Sequence, residues 1–392
     1  METKSTSEAN TNFYAAVGNN LIHFIADIGR TTLHKKATIN LRLNIQYIWR
    51  HPKAPIIYIA LSNGGPGKKG TTHKLVSYTL DEKTGLLKKL LNSSSLRFRP
   101  LHISIDKTNE HILVAYNNPS AISVHKIEGN GSIGQEVEQV TNLDVGIFGH
   151  QIMAAPDGET VILVCRGYDA DIKQDEQPGA LKVFKYADGK LTFETSIEPE
   201  GGFGFGARHL DFHHNGKWIY LGVERQSELH FFKIKNGFID KINTYKTSTL
   251  SKPAPINVRQ AVSAVHIHPS GNFVYVSNRT YGLNDKETGA VIPYGEDNIA
   301  VFEIDKDTGK TKPIQHISTT GSLPRTFSID PSGKMLIAAN SEHAKKMTPE
   351  NKPENLPLSL AIYEIQPDGL LDRKGTVEFP EQNQLLFWSG FL

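Results

Sequence analysis

Four ionisable residues, His150, Arg208, Glu224 and Arg279, recur at matched places of an internal repeat, and their types suit acid–base chemistry on an anionic substrate. Two arginines offer planar forks that fit a carboxylate, a phosphate or a developing oxyanion. A histidine set among cations has its pKa pushed down, stays neutral near pH 7 and can accept a proton. A glutamate opposite can orient that histidine or serve as a second acid/base. A lone Arg–Glu pair at a repeat rim is more often a structural ion pair. Four such groups at equivalent positions beneath long loops point instead to a shared site.

The repeat is visible when segments are aligned: HQIMAAPDGETVILVCRG (150–167), ARHLDFHHNGKWIYLGVER (207–225), VSAVHIHPSGNFVYVSNRT (262–280) and PRTFSIDPSGKMLIAANS (324–341), with weaker copies at 47–63 and 100–118. Each reads as an alternating strand, a Pro/Asn/Gly-type turn and a second, apolar strand. A third strand follows in every unit, such as ELHFFKIKN (228–236), and then a turn into a fourth. The copies return roughly every fifty to sixty residues, the length class of a four-stranded propeller blade. Six units begin near 45, 99, 148, 206, 261 and 323. The N-terminal FYAAVGN and LIHFIADIG lack a first strand, and the C-terminal LLFWSGFL is a lone apolar strand. Joined, they make a seventh blade and leave no open sheet edge. The expectation is an all-β, seven-bladed propeller over 13–392, its N- and C-terminal strands sharing one blade, after a disordered polar tail over 1–12.

Strand arithmetic gathers the charged residues. Arg208 lies about seven residues before the turn at Asn215–Gly216 and Glu224 about eight after it, so both stand at one rim. The same reasoning places His150 and Arg279 there. Arg325 and Asn340 flank the Pro331–Gly333 turn in the same way, and with His209, beside Arg208, they are further candidates for substrate contact. Three insertions, 61–73, 280–297 and 341–357, each follow a second strand and should rise from that rim as lid or wall.

Bulk properties narrow the partners. A formal net charge of +2 argues against nucleic acid or an anionic membrane as main partner, so any electrostatic selectivity is local. The single Cys165 has no mate for an intrachain disulfide, and no apolar run has signal-peptide or transmembrane character. A cytoplasmic protein, monomeric or a weak homodimer, is the expectation. GGFGFG (201–206) precedes a strand pattern and GGPGKK (64–69) lacks Walker spacing, so neither reads as a phosphate loop. His266 and His268 lack a third ligand, and His209 and His213 are roughly 13 Å apart in a strand. No metal and no cofactor is expected.

The runs GARHLDFHHNGKWIYLGVERQSELHFFKI, IHPSGNFVYVSNRTYG, NIAVFEIDKDTGK and LPRTFSIDPSGKMLIAAN resemble the lactonase family of seven-bladed propellers. That family includes a bacterial 6-phosphogluconolactonase and the fungal-type carboxy-cis,cis-muconate cyclase. The resemblance spans nearly the whole chain. It implies that the family's active-site histidine falls on His150, its G-x-R-H arginine on Arg208, its N-E-L glutamate on Glu224 and its S-N-R arginine on Arg279. The chain departs from the pattern at Val223, His213–His214, Arg166 and Asn340–Ser341. The implied activity is metal-independent hydrolysis, or reversible formation, of the lactone of an anionic or polyhydroxylated small molecule. The alternatives are a muconate-type lactonising cycloisomerase, a metal-dependent gluconolactonase-like propeller with a carboxylate-rich channel mouth, and a non-catalytic interaction scaffold.

Overall fold

The first two strands of each repeat meet at a turn whose geometry the sequence dictates. Gly158, Gly216, Gly271 and Gly333 have φ of 76°, 69°, 74° and 74°, a left-handed backbone that side chains disfavour. Each donates its N–H back across the turn, as Gly216 does to His213 O at 2.9 Å. The second copy uses Asn109, at φ 66°, in the same place. In the computed structural model, which describes residues 10–172, 174–235, 238–241, 245–255, 258–282, 291–379 and 384–392, these hairpins open seven sheets arranged as blades.

Blades 1 to 6 follow the chain. Their inner strands are Asn44–Arg50, Pro100–Ile105, Gly149–Ala154, Ala207–Phe212, Val258–Ile267 and Pro324–Ile329. Their second strands, such as Ile56–Ser62 and Met335–Asn340, are buried on both faces and so read as continuous apolar runs. Alternate side chains serve different neighbours: Ile57 and Ile59 pack toward blade 7, Tyr58 and Ala60 toward blade 2. Outer strands such as Leu87–Ser95 are mostly exposed and polar. Blade 4 departs from the plan, because its outer strand is split into Phe238–Ile239 and Tyr245–Ser248.

Blade 7 takes its inner strand, Leu386–Phe391, from the C-terminus and the other three, Asn10–Val17, Asn20–Asp27 and Thr32–Asn40, from the N-terminus. Phe13 pairs with Phe391 and Ala16 with Trp388 across the seam. Seven apolar clusters among the described residues each span two adjacent blades, so the ring of interfaces is complete. A buried tyrosine also latches several blades to the next. Tyr58 donates to Gly131 O, Tyr220 to Gly309 O and Tyr275 to Gly369 O, and Tyr14 of the composite blade donates likewise to Gly85 O at 2.6 Å.

The sequence boundary of the tail needs a correction. Residues 1–9 of it lie outside the described residues, but Asn10–Asn12 already belong to the first strand. Asn12 is ordered by donating to Glu82 O at 2.8 Å and bonding His23 Nε2 at 2.9 Å. The two C-terminal insertions also behave differently from free-standing walls. Val291–Ile292 runs parallel to Ala344–Met347, which pairs with Pro353–Leu356, so the described parts of both form one small sheet. Residues 283–290 of the 280–297 insertion lie outside the described residues.

Candidate active site

Each hairpin brings two side chains to the rim, one from the start of the inner strand and one from the end of the second. His150, Arg208 and Arg325 occupy the first position, and Arg166, Glu224 and Arg279 the second. All six line one cavity of about 410 Å³ at the mouth of the central channel. Arg99, Phe148, Tyr168, Tyr281 and the tip of the first insertion, Gly65–Lys69, complete the wall.

Glu224 is the hub. Its Oε1 lies 3.0 Å from Arg166 Nε, and its Oε2 lies 3.1 Å from Arg208 Nε and 3.2 Å from Arg279 Nη2. Burial would raise its pKa, but Arg166, Arg279, Arg208 and Arg259 outweigh burial and hold it far below the usual carboxylate range. Glu224 is therefore held as an anion by its guanidinium neighbours. It does not hydrogen-bond His150: Nδ1 of His150 is buried without a partner among the described residues. The sequence-based expectation that Glu224 orients the histidine is corrected on this point. Its carboxylate is saturated by guanidinium groups, and what it orients is arginine.

His150 is held by packing. Phe148 stacks against it at 6.3 Å and 15°, and His209 meets it edge-on at 5.0 Å. Phe148 sits at φ 58°, a strained backbone of the kind that clusters at functional sites. Burial first, then Arg208, Arg325, Arg166 and Arg279, push the His150 pKa well below 6.5, so the imidazole is neutral. Nδ1 is enclosed, leaving Nε2 as the nitrogen facing the cavity.

The arginines are incompletely satisfied. Nη1 of Arg208 and Nε of Arg279 are buried without hydrogen-bond partners among the described residues. Burial, then Arg279 and Arg325, drive the Arg208 pKa well below its ordinary value. Arg325 is brought down to about 10 by burial and Arg279, and its guanidinium lies 4.2 Å from the centroid of the Phe387 ring. Arg279 also donates to Tyr281 Oη at 2.5 Å and to Val262 O at 3.1 Å. Orphaned cationic donors around a cavity fit an anionic ligand.

Two candidates are not on the cavity wall. Asn340 is wholly buried at the junction with the preceding blade, where its Nδ2 donates to Thr319 O at 3.3 Å and Ser359 Oγ at 2.9 Å. Asn278, at the same place of its repeat, likewise donates to Thr249 O, so this asparagine is a blade fastener. His209 lies in the channel beneath the site, between His150 and His102. Sequence reasoning misses Arg99, which precedes the inner strand of a weak repeat copy. It finds Arg166 only as a departure from the family pattern, although the repeat alignment puts it level with Glu224 and Arg279. Among the described residues, no three His, Cys, Asp or Glu side chains cluster to hold a metal ion, and no helix is long and apolar enough to cross a membrane.

Known proteins resemble this chain over most of its length. Residues 20–354 match the family described as "Lactonase, 7-bladed beta-propeller". A 6-phosphogluconolactonase of Formosa agariphila is 29% identical over 304 residues, covering 76% of this chain and 78% of the relative. That of Bacillus subtilis is 26% identical over 326 residues, covering 81% and 83%. Among solved structures, a putative 6-phosphogluconolactonase from Bacteroides uniformis superposes with a TM-score of 0.72 at 19% identity, over 98% of this chain and 99% of that one. The periplasmic gluconolactonase of Pseudomonas aeruginosa does so with a TM-score of 0.68 at 18% identity, over 96% and 98%. A neutral histidine beside arginines clamped on one glutamate, at the mouth of a seven-bladed ring, thus sits in a chain that belongs to the seven-bladed β-propeller lactonase family.

Proposed function

We propose that this protein hydrolyses the lactone ring of an anionic sugar acid, of the kind named by its 6-phosphogluconolactonase relatives, without a metal ion. The observation that carries the reading is the cavity itself: five arginines, a neutral histidine, and a single carboxylate already committed to the arginines. His150 Nε2 takes a proton from water as the water oxygen attacks the lactone carbonyl carbon. The carbonyl electron pair moves onto oxygen, where the unpartnered donors of Arg208 and Arg279 stabilise it. Collapse of the tetrahedral intermediate breaks the ring C–O bond, and the imidazolium returns its proton to the departing alkoxide. The carboxylic acid product then ionises. An anionic substrate also offsets the arginine field that depresses the His150 pKa, strengthening the base when substrate is bound.

The interaction-scaffold alternative calls for an aromatic, apolar binding rim. This rim presents buried, charged side chains instead. Assaying hydrolysis of 6-phosphogluconolactone and of gluconolactone beside cyclisation of a carboxymuconate tests the reading. Turnover of a lactone supports it; turnover of the muconate alone replaces it with the cycloisomerase.

A further inference from the structure

Arg166 differs from Arg208 and Arg279 in having no nitrogen left over. Its Nε donates to Glu224 Oε1 at 3.0 Å, its Nη1 to Gly167 O at 3.3 Å and its Nη2 to Asp169 Oδ2 at 2.7 Å. Arg208 and Arg279 each keep a buried nitrogen without a partner among the described residues. A guanidinium engaged on all three nitrogens is a strut. What it joins is the Glu224 hub and a carboxylate that is not part of the cavity wall.

That carboxylate belongs to a short hairpin between Thr160–Cys165 and Ala180–Ala187, the second and third strands of blade 3. Tyr168 and Gln177 close it with backbone hydrogen bonds of 3.2 and 3.0 Å. Asp169 gathers guanidinium groups from three blades: Arg166 Nη2 of blade 3 at 2.7 Å, Arg225 Nε of blade 4 at 2.6 Å and Arg259 Nη2 of blade 5 at 2.9 Å. Glu176, on the returning limb of the hairpin, pairs with Arg225 Nη1. Burial would raise the Asp169 pKa, but Arg166, Arg259 and Arg225 outweigh it and hold the carboxyl below its usual range. Arg259 in turn approaches Glu224 Oε1 at 3.9 Å, so Glu224, Arg166, Asp169 and Arg259 close a circuit of alternating charge. Arg259 and Arg279 both lie over the Tyr281 ring, at 5.5 and 5.3 Å, which ties the circuit to a proposed oxyanion donor.

We infer that Asp169 is a positioning residue for the reaction: from outside the cavity it holds Arg166 against Glu224, and so fixes the direction in which Glu224 presents Arg208 and Arg279 to the reacting carbonyl. The inference rests on the lactonase reading for the identity of that carbonyl. Without the carboxylate, Arg166 has a free edge with which to leave Glu224 for water or for the substrate, and three like charges repel one another. With it, Arg166 does not compete with Arg208 and Arg279 for the substrate. Asp169 acts on kcat more than on KM, because it touches no part of the substrate.

The test compares Asp169→Ala and Asp169→Asn with the parent protein on the lactone that the parent turns over fastest. Both should lower kcat about tenfold with KM little changed, the loss of one charged hydrogen bond felt through Arg166. Formate at constant ionic strength, corrected for its effect on the parent, should restore Asp169→Ala; neutral formamide, of the same shape, should not. A side chain that only fills space gives the reverse, with Asp169→Asn fully active and the two additives equivalent. A second arm needs no turnover. The Nε–H resonance of Arg166, identified by its loss in Arg166→Lys, should exchange with solvent about tenfold faster in Asp169→Ala than in the parent and slow again with formate. The Asp169 side chain is 40% exposed and Asn is isosteric with it, so Asp169→Asn keeps the comparison available where Asp169→Ala folds poorly. Parent-like kcat in both variants, or rescue by formamide, overturns the inference. Should the parent hydrolyse neither 6-phosphogluconolactone nor gluconolactone, the lactonase reading fails, and Arg166 exchange decides the positioning alone: faster in Asp169→Ala upholds it, unchanged overturns it.

Discussion

Arg208 meets Glu224 through Nε, at 3.1 Å, and this leaves its Nη1 buried and unpartnered in the cavity wall. One edge of the guanidinium is spent on position, and the other is the one the proposed mechanism gives to the substrate. A lysine, with a single ammonium, cannot do both.

Glu224→Gln should accordingly lower kcat/KM by about a hundredfold, as should Arg208→Lys, in the range for losing an oriented oxyanion donor. Because Glu224 stays ionised throughout, its replacement should keep an acid limb in the pH–rate profile, moved to lower pH because the arginines acting on His150 lose their counter-charge. A pH–rate series on Glu224→Gln that loses its acid limb would show the glutamate to be the base after all.

His150→Ala should reduce turnover by at least about a hundredfold, and Arg279→Ala similarly. The field of arginines pushes the His150 pKa down, so the acid limb of kcat/KM for the parent protein is expected below pH 6.5. Wild-type rates in both variants, or an acid limb above 6.5, contradict the assignment.

How much of this is legible in the sequence depends on the repeat. Turn glycines fix the register, and register fixes which residues reach the rim, so spacing alone gathers His150, Arg208, Glu224, Arg279 and Arg325. What each touches is not encoded there. Glu224 stands within reach of four guanidinium groups, and which partners it takes is settled by side-chain directions from three blades. Arg166 sits at the matching position of its repeat, yet an arginine beside two others looks repulsive until the shared carboxylate is seen. Asn340 misleads by one residue: it matches Asn278 and not Arg279, and the second strand points alternate residues at the neighbouring blade. Arg99 escapes notice because it lies just before its inner strand, whereas Arg208 and Arg325 are the second residues of theirs.

The channel histidines should make stability acid-sensitive. Burial brings His102, packed against Tyr47 and His209, down to about 3, and burial also depresses His209 and His266. Their folded pKa values lie below the unfolded value near 6.5, so the unfolded chain binds protons first and stability falls as pH drops below 6.5. His102 alone costs about 2 kcal/mol by pH 5, at about 1.4 kcal/mol per pH unit. Urea midpoints measured from pH 7.5 to 5 should decline, less steeply in His102→Gln. A flat series contradicts the prediction.

Removing residues 386–392 should yield insoluble protein. Leu386 and Trp388 are buried in the two apolar clusters that flank blade 7, and their loss also bares the Asn10–Val17 edge. A soluble truncated chain with unchanged melting would sink the closure account.

Prolonged EDTA treatment should leave lactone hydrolysis intact, since the arginines around the cavity repel a divalent cation and Glu224 is already engaged. Activity that disappears and returns with calcium or zinc would replace the mechanism with a metal-assisted one.

The seam of blade 7 has a consequence for how the molecule comes into being. Phe13 must wait for Phe391, nearly the whole chain later, before its sheet is complete. Closing so long a loop costs little more than closing a shorter one, because the entropy grows only logarithmically with length. The delay is one of time, since contacts this distant in sequence form late and synthesis runs from the N-terminus. Until Leu386–Phe391 has been made, three strands of a blade hold an unpaired apolar edge, and the site cannot be stabilised by a closed ring. The order of synthesis thereby makes the scaffold of the site one of the later things to be secured.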